Sequence, residues 1–317
     1  MKFIKCRPLE EDKKIGAFSP SDFVGGDRPG RTRQAAAELQ SSIGREVIFA
    51  DNAFAQFGTI AGTVGQRVSD IDQLLDRNDV GALVATYGGK ACNQLINALP
   101  YRKIRSKKRP IIGFSDIGVL DNAITATTGL VTFYGPNILA KLDQSDWGCL
   151  DSLRPEHERF HTEYIFGSNQ NIGAQSVRAG RAEGRLFGGN LECFVYGNLV
   201  PKQDLSFFKD GIFFWESSGL LPREVDQVLT SFALSGFLDY ISGMIIGDAF
   251  LQEGYEWFRS DPLESVLKAT SRYNFPIIYH PNFGHKNLEN PIIPVGVTAK
   301  MDADRISIKA IEGYLQD

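Results

Sequence analysis

Residues 109–120 read RPIIGFSDIGVL, a pattern typical of a strand that turns directly into a helix. A short apolar run leads into the turn GFSD at 113–116, and a helix-like pattern follows at once and closes at Gly129. A buried strand that turns directly into a helix is the repeating unit of a parallel α/β sheet. The turn also carries Ser115 at the end of the strand. The serine is either part of an ordinary turn or a nucleophile held on a bend.

The same alternation extends on both sides of this stretch. KIGAFSPS, EVIFADNAF, VGALVATYGG and LVTFYGP are typical of strands, and GRTRQAAAELQSSIG and CNQLINAL of helices. Strands that are apolar without alternation, separated by helices, predict a mostly parallel, doubly wound sheet covered on both faces. Ligands of such sheets bind beyond the carboxyl ends of the strands. The turns expected there are Ser19-Pro20-Ser21, Gly88-Gly89, Ser115-Asp116 and Tyr134-Gly135-Pro136.

The second half of the chain predicts a smaller domain of mixed α/β structure. Residues 142–178 are polar and irregular, so we expect a crossover linker between an α/β domain at 1–141 and a C-terminal domain at 179–317. GIFFWESSG, MIIGDAF and FPIIYH are typical of strands, and residues 223–243 of a helix with Val225, Leu229 and Phe232 on one face. VGVTAKMDADRISIKA alternates around Asp-Ala-Asp and predicts a hairpin.

The composition excludes several classes of function. A chain of 317 residues with 43% hydrophobic and 23% charged residues suits two ordinary domains. A net charge of −4 gives no case for binding nucleic acid or an anionic membrane. The start, MKFIKCRPLEEDKK, is charged where a signal peptide needs apolar residues, and the dispersed cysteines predict reduced thiols. We therefore expect a cytoplasmic protein.

A serine nucleophile needs a base, and the chain has four histidines. His157 and His161 lie in the charged crossover and are expected to be solvated, while His280 ends an apolar strand and fits a core position. His285 lies in HPNFGHKNLENP, a loop rich in Gly, Asn and Pro that presents its side chains. His285 is thus a candidate base, although a structural role stays open.

Two other features that would support a serine nucleophile, Glu216 and the glycine turn at 88–89, each have two interpretations. Glu216 follows GIFFW, and a carboxylate at the end of an apolar strand is either paired or has simply reached solvent. The backbone N–H groups of Gly88-Gly89, together with those at the start of the helix after Ser115, could stabilise the oxyanion of a reaction intermediate. Alternatively, the two glycines only permit the turn.

Competing chemistries have weaker support. The chain has no HExxH motif and no paired Cys/His spacing for zinc. YGGKACNQL lacks the GK[ST] of a phosphate-binding P-loop. Cys92 falls inside a helix pattern and favours core packing over nucleophilic catalysis. No metal or organic cofactor is predicted.

Seven motifs together resemble the LD-carboxypeptidase family of serine peptidases. They are YGGKACNQLINAL, IIGFSDIGVL, GLVTFYGPN, GRLFGGNLECF, GIFFWES, VDQVLTSFALSGFLDYISGMIIGDAF and FGHKNLENPIIPVGVTAKMD. The resemblance runs from Ile15 onward, and the family includes muramoyl-tetrapeptide carboxypeptidases and microcin C self-immunity peptidases.

The resemblance implies a Ser–Glu–His triad. Ser115 of GFSD matches the nucleophile, Glu216 of FFWES the acid and His285 of FGHKN the base. The oxyanion donors would be the backbone N–H groups of Asp116 and Gly89. The N-terminal domain would carry the nucleophile, the C-terminal domain the acid and the base, and the active protein would be a homodimer.

Three departures from the family pattern lie beside the triad. The bend reads G-F-S-D-I-G and not G-x-S-x-G, Ser217 stands where an acidic residue is frequent, and Lys286-Asn287 stand where Thr is common. These changes bear on substrate choice more than on chemistry.

The expected function is a cytoplasmic serine carboxypeptidase that hydrolyses an amide bond near the carboxyl terminus of a murein tetrapeptide. A microcin C immunity-type peptidase that cleaves a peptidyl-nucleotide is the alternative. A binding protein with a vestigial triad is the alternative outside enzymes. Neither nucleic acid nor a membrane is expected as a partner.

Overall fold

The fold is described from a computed structural model that covers residues 2–23, 28–139, 147–158, 173–196, 209–249, 262–285 and 290–316. It contains two β-sheets. The strands, in chain order, are β1 Lys14–Phe18, β2 Val47–Phe49, β3 Val80–Ala85, β4 Ile111–Gly113, β5 Thr132–Tyr134, β6 Gln175–Arg178, β7 Arg181–Asn190, β8 Gly211–Glu216, β9 Ile241–Asp248, β10 Ile277–Gly284, β11 Ile293–Val295, β12 Thr298–Asp302 and β13 Ser307–Ala310.

The first sheet has six strands in the order β11-β5-β4-β3-β1-β2. Strands β1 to β5 pair in parallel, and all six residues of β3 are buried, as expected for a sheet covered on both faces. The edge strand β11 runs antiparallel to β5, with Ile293 opposite Tyr134. A segment from the far end of the chain therefore completes the sheet that carries Ser115.

The described helices are short to medium in length. They are α1 Pro29–Ile43, α2 Val64–Asp76, α3 Tyr101–Lys107, α4 Ile117–Thr128, α5 Leu191–Tyr196, α6 Pro222–Leu234 and α7 Pro262–Ala269. Helix α1 begins at a proline and ends where Gly44 adopts a left-handed conformation, both common end signals. Thr63 and Gln66 form a capping box at the start of α2. No helix within these described ranges is long and apolar enough to cross a membrane.

The second sheet has seven strands in the order β13-β12-β7-β8-β9-β10-β6. Its centre, β7 to β10, is parallel, whereas β6, β12 and β13 pair antiparallel. Both sheets thus present the carboxyl ends of parallel strands, the part of such sheets where ligand sites form.

The two sheets share a buried apolar cluster. Phe114 and Tyr134 from the first sheet pack with Leu186 and Phe214 from the second. A polar link lies beside it, because Asn122 of α4 donates to the carbonyl of Gly188 over 2.6 Å and accepts from its N–H over 3.1 Å. The position of one sheet relative to the other is therefore fixed by packing and by paired hydrogen bonds.

The predicted fold class is confirmed: the first sheet is largely parallel and the second is mixed. The hairpin at β12 and β13 is confirmed as well. The domain boundaries at 141 and 178 stay a prediction, and β6, within the expected linker 142–178, is an edge strand of the second sheet.

Two helix predictions are wrong in extent. CNQLINAL forms only a 3₁₀ helix at Cys92–Leu95. The helix expected over 223–243 ends at Leu234, since Gly236 adopts a left-handed conformation, and a 3₁₀ helix at Phe237–Tyr240 leads into β9.

Candidate active site

The candidate site lies where the carboxyl ends of the two parallel strand sets meet. Ser115 follows β4 in the first sheet. Glu216 is the last residue of β8, and His285 directly follows β10. The structure brings these three predicted residues together, although they are separated by 101 and 69 positions in the chain.

Ser115 is held on a strained bend. Its φ of 64° is left-handed, a conformation that costs a residue with a side chain about 1 kcal/mol or more. The strain is held by neighbours on both sides. Asn137 accepts from the N–H of Phe114 over 2.9 Å and donates to its carbonyl over 3.2 Å. The N–H of Ser115 itself donates to the hydroxyl of Tyr134 over 3.1 Å.

His285 connects the serine to the carboxylate. Its Nε2 lies 3.2 Å from Oγ of Ser115, and its Nδ1 lies 2.6 Å from Oε2 of Glu216. With Nδ1–H donating to the carboxylate, Nε2 is left to accept the serine proton. The ring of Phe114 packs against the imidazole with 4.8 Å between centroids. Asn290 fixes the preceding residue, since it accepts from the N–H of Gly284 over 2.8 Å.

Glu216 is fully buried and is satisfied by three hydrogen bonds. Besides His285, the hydroxyl of Tyr134 donates to Oε1 over 2.7 Å, and the amide of Asn190 donates to the same oxygen over 3.2 Å. A buried carboxylate without partners would cost several kcal/mol. Glu216 is therefore a paired group, and the alternative that its strand merely reaches solvent is wrong.

The carboxylates around His285 favour its charged form. Burial alone would lower the pKa of the imidazole, but the charge and hydrogen bond of Glu216 outweigh it, helped by Glu192 and Asp248. The resulting pKa lies above the usual value of 6.5. An imidazole that gains a proton during a reaction is thus stabilised by its surroundings.

A glycine turn lies beside the serine. A Cβ at Gly88 would lie 3.0 Å from Cβ and 3.3 Å from Oγ of Ser115, so the bare backbone leaves room at the hydroxyl. Gly89 has a φ of 144°, and a Cβ there would overlap the carboxylate of Asp22. Within the described residues, the N–H groups of Gly89 and Asp116 donate to no protein acceptor.

The side chain of Asp116 holds this turn from behind. Its Oδ2 accepts from the hydroxyl of Ser21 over 2.5 Å and from the N–H groups of Ala91 and Cys92, each over 2.8 Å. Buried Arg67 contributes by donating to the carbonyls of Pro20 and Ala91 over 2.8 and 3.1 Å. All four turns predicted at the strand ends are therefore tied to one another, since Tyr134 of the fourth turn accepts from the N–H of Ser115.

The remaining histidines and cysteines lie apart from this arrangement or support it. His280 is buried, which lowers its pKa to about 4, and His157 is exposed. Cys92 is fully buried, as expected for a core thiol. His161, Lys286 and Asn287 fall outside the described residues. No group of three metal-ligating side chains occurs in the part of the chain that the structure describes.

Sequence reasoning placed Tyr134 at a strand end but gave it no role, and it missed Asn137, Asn190 and Asn290. Each of these residues lies inside a motif quoted for the family resemblance. The motif as a whole indicated the family, but nothing in it indicated a role for the individual residue. Their contacts join distant segments, which spacing alone does not reveal.

The comparisons with known proteins define the class. The model of the LD-carboxypeptidase N-terminal domain matches residues 15–135, and that of the C-terminal domain matches residues 183–301. The chain belongs to the LD-carboxypeptidase family of peptidases, as the sequence motifs indicated.

Named relatives cover most of the chain. A putative carboxypeptidase of Synechocystis is 27% identical over 95% of each chain. The murein tetrapeptide carboxypeptidase of Pseudomonas aeruginosa is 27% identical over 80% of this chain and 82% of its own. The microcin C7 self-immunity protein MccF of Escherichia coli is 24% identical over 80% of each.

Solved structures share the fold over nearly the full length. MccF in complex with glutamyl sulfamoyl guanosine superposes with a TM-score of 0.83 at 21% identity, over 99% of this chain and 100% of that one. An MccF-like protein from Bacillus anthracis has a TM-score of 0.80 at 26% identity, over 96% and 98%.

Proposed function

We propose that the protein is a serine carboxypeptidase that releases D-alanine from a murein tetrapeptide. The observation that carries the proposal is the contact chain Ser115 Oγ–His285 Nε2 at 3.2 Å and His285 Nδ1–Glu216 Oε2 at 2.6 Å. This is the order of nucleophile, base and orienting acid that acyl transfer requires. The relative from Pseudomonas aeruginosa supports the choice of substrate.

In the proposed mechanism, Ser115 attacks the carbonyl carbon of the L,D-peptide bond while His285 takes the hydroxyl proton. Glu216 holds the imidazole in the tautomer with Nδ1 protonated and stabilises the imidazolium. His285 then gives the proton to the departing amino group of D-alanine, and an acyl-enzyme remains on Ser115. A water molecule, deprotonated by the same imidazole, releases the acid and restores the serine.

The tetrahedral intermediate carries a negative oxygen that needs donors. The N–H groups of Asp116 and Gly89 suit this role because both are unused within the described residues: Asp116 follows the serine, and Gly89 follows Gly88, which packs against the serine. Asp116 also precedes α4, so the oxygen would lie near the positive end of a helix of 12 residues.

The second candidate is a microcin immunity-type peptidase that cleaves the amide-type bond between aspartate and a nucleotide. The likeness to the MccF-like protein of Bacillus anthracis, at 26% identity, supports it. The same serine, histidine and carboxylate would perform both reactions, since each replaces an amide-type bond with an ester to Ser115.

The experiment compares two substrates with the purified protein. One is a murein tetrapeptide, with released D-alanine as the readout, and the other is an aspartyl-adenylate analogue with an amide-type linkage, with the freed nucleotide as the readout. Faster turnover of the aspartyl-adenylate analogue would show that the second candidate function is the correct one. Turnover of neither would favour a binding protein with a vestigial triad.

Ser115→Ala tests the nucleophile in the same assay. We expect a loss on the order of 10³-fold or more in kcat. Ser106→Ala is the matched control, because Ser106 is an exposed serine of α3 whose hydroxyl bonds only within its own helix. Equal turnover by both variants would contradict the proposed role of Ser115.

A further inference from the structure

A pocket separate from the candidate active site lies at the amino ends of β3 and β4, opposite the ends that lead to Ser115. Its volume is about 260 Å³, and its walls include Val80 and Gly81 at the start of β3 and Arg109 just before β4. Arg7 and Lys13 also line the pocket, which makes its lining mainly basic. Glu10 is the one acidic residue among the described lining residues. The pocket shares no residue with the candidate active site.

Arg109 is a buried cation with unused donors. It is only 7% exposed, yet its side chain makes one hydrogen bond, from Nη1 to the carbonyl of Leu74 over 2.7 Å. A guanidinium carries five N–H groups and stays charged in proteins. In the part of the chain that the structure describes, no carboxylate lies within ion-pair distance of it. None of its remaining nitrogens is among the buried atoms that lack a partner, so its unused N–H groups are accessible from the pocket and are open to a ligand.

Arg7 adds a second unpaired charge on the same wall. Its side chain forms no hydrogen bond or ion pair with the described residues. Burial lowers the pKa of Arg109 and the like charge of Arg7 lowers it further, while Asp76 and Asp79, which lie beyond ion-pair distance, oppose the shift only in part. Lys13 differs, because its ammonium lies 3.0 Å from Asp12 and 3.7 Å from Glu10.

Two unpaired guanidinium groups match a dianion. We propose that this pocket binds a small molecule through a phosphate group held by Arg7 and Arg109. Phosphate carries a charge of about −1.5 to −2 near pH 7, and its oxygens accept paired N–H bonds from a guanidinium. A single carboxylate would balance only one of the two charges. The proposal is independent of the activity assigned to Ser115.

Calorimetric titration of the purified protein with inorganic phosphate tests the proposal. Sodium chloride keeps the ionic strength constant, and acetate is titrated in parallel. We expect saturable phosphate binding that weakens about tenfold or more in Arg7→Gln and in Arg109→Gln, the loss that follows removal of a charge-assisted pair. Arg223→Gln, which removes an exposed arginine of α6, is the matched control and should bind as the unchanged protein does.

Arg7 is exposed and Arg109 is not, so Arg7→Gln should fold normally. The test therefore stays valid even if Arg109→Gln fails to fold. Arg7→Glu gives a further readout: its carboxylate should replace the missing anion, abolish phosphate binding and raise the melting temperature in phosphate-free buffer. Absence of saturable binding, equal binding by Arg7→Gln, or acetate binding as tight as that of phosphate would each overturn the proposal.

Discussion

The hydroxyl of Tyr134 donates a hydrogen bond to Oε1 of Glu216 over 2.7 Å, from one sheet to the other. The hydroxyl oxygen of Tyr134 in turn accepts a hydrogen bond from the N–H of Ser115 over 3.1 Å. A single phenol therefore fixes both the backbone of the proposed nucleophile and the orientation of the proposed acid.

Tyr134→Phe should lower kcat about 10- to 100-fold and change KM little. The substitution removes one hydrogen bond to a buried charge, and such bonds contribute about 1.5–3 kcal/mol. Steady-state kinetics on the preferred substrate measure the effect. Tyr101→Phe is the matched control, because it also removes a phenol hydrogen bond, a half-buried one to the carbonyl of Ile96 over 2.6 Å, but away from the site. Equal kinetics for the two variants would contradict a positioning role for Tyr134.

The pH dependence of kcat/KM should report His285. The base must be neutral, so activity should fall as the pH drops through the pKa of His285, which lies above 6.5. In Glu216→Gln burial remains and the largest attracting charge is lost, while Glu192 and Asp248 remain, so the pKa of His285 should fall. An NMR titration of the imidazole signals measures it, with His280, near 4, as the internal reference. An unshifted His285 signal would refute the assigned cause.

The same shift has a consequence for stability. Because the pKa of His285 is raised in the folded state, its protonation stabilises the fold below pH 6.5, and this contribution is lost as the pH rises through the folded-state pKa.

Gly89→Ala should reduce kcat about 100-fold, the usual effect of displacing one oxyanion donor. The left-handed backbone and the overlap with Asp22 force the turn to move. Gly44→Ala is the control: its φ of 66° is also left-handed, but a Cβ there meets nothing within 4 Å. That variant should lose about 1 kcal/mol of stability and keep its activity. Full activity in Gly89→Ala would show that the N–H of this turn does not stabilise the oxyanion.

Asp121→Asn should stabilise the protein at neutral pH. Asp121 is fully buried, neither of its carboxyl oxygens has a hydrogen-bond partner among the residues that the structure describes, and burial raises its pKa well above 3.8. The folded state must then hold a proton that the unfolded state releases, so stability falls by up to about 1.4 kcal/mol per pH unit above pH 4. The asparagine carries no such proton.

Urea unfolding at pH 4 and pH 7 measures this difference. We expect the gain from Asp121→Asn to be small at pH 4 and to grow with pH. Asp304→Asn is the control, because it removes an exposed carboxylate and should show no such trend. A gain that is the same at both pH values would show that Asp121 is ionised in the folded protein.

The sequence predicted those parts of the fold whose signals are local. Unbroken apolar runs identified β1, β3 and β8, and Gly44 and Gly129 marked helix ends where the structure has left-handed caps. Strand β6 was missed because its residues are exposed or half-buried and show no alternation. Its pairing with β10 depends on a contact about 100 residues away in the chain.

The candidate site was predictable only in part. Ser115, Glu216 and His285 followed from a set of family motifs, and not from their spacing. The shared hydroxyl of Tyr134 could not be foreseen, because it depends on how two sheets pack together. The unpaired Arg109 was equally hidden, since a basic residue before a strand is normally solvated.

The edge position of β11 sets when the first sheet is completed during synthesis. Ile293 pairs with Tyr134, so β5, beside the proposed nucleophile, lacks this edge partner until Ile293–Val295 has left the ribosome. The nascent N-terminal part must wait for its last partner strand, and that strand emerges just after His285. The proposed base and the strand that completes the first sheet are therefore synthesised one shortly after the other, with His285 lying 170 residues after Ser115.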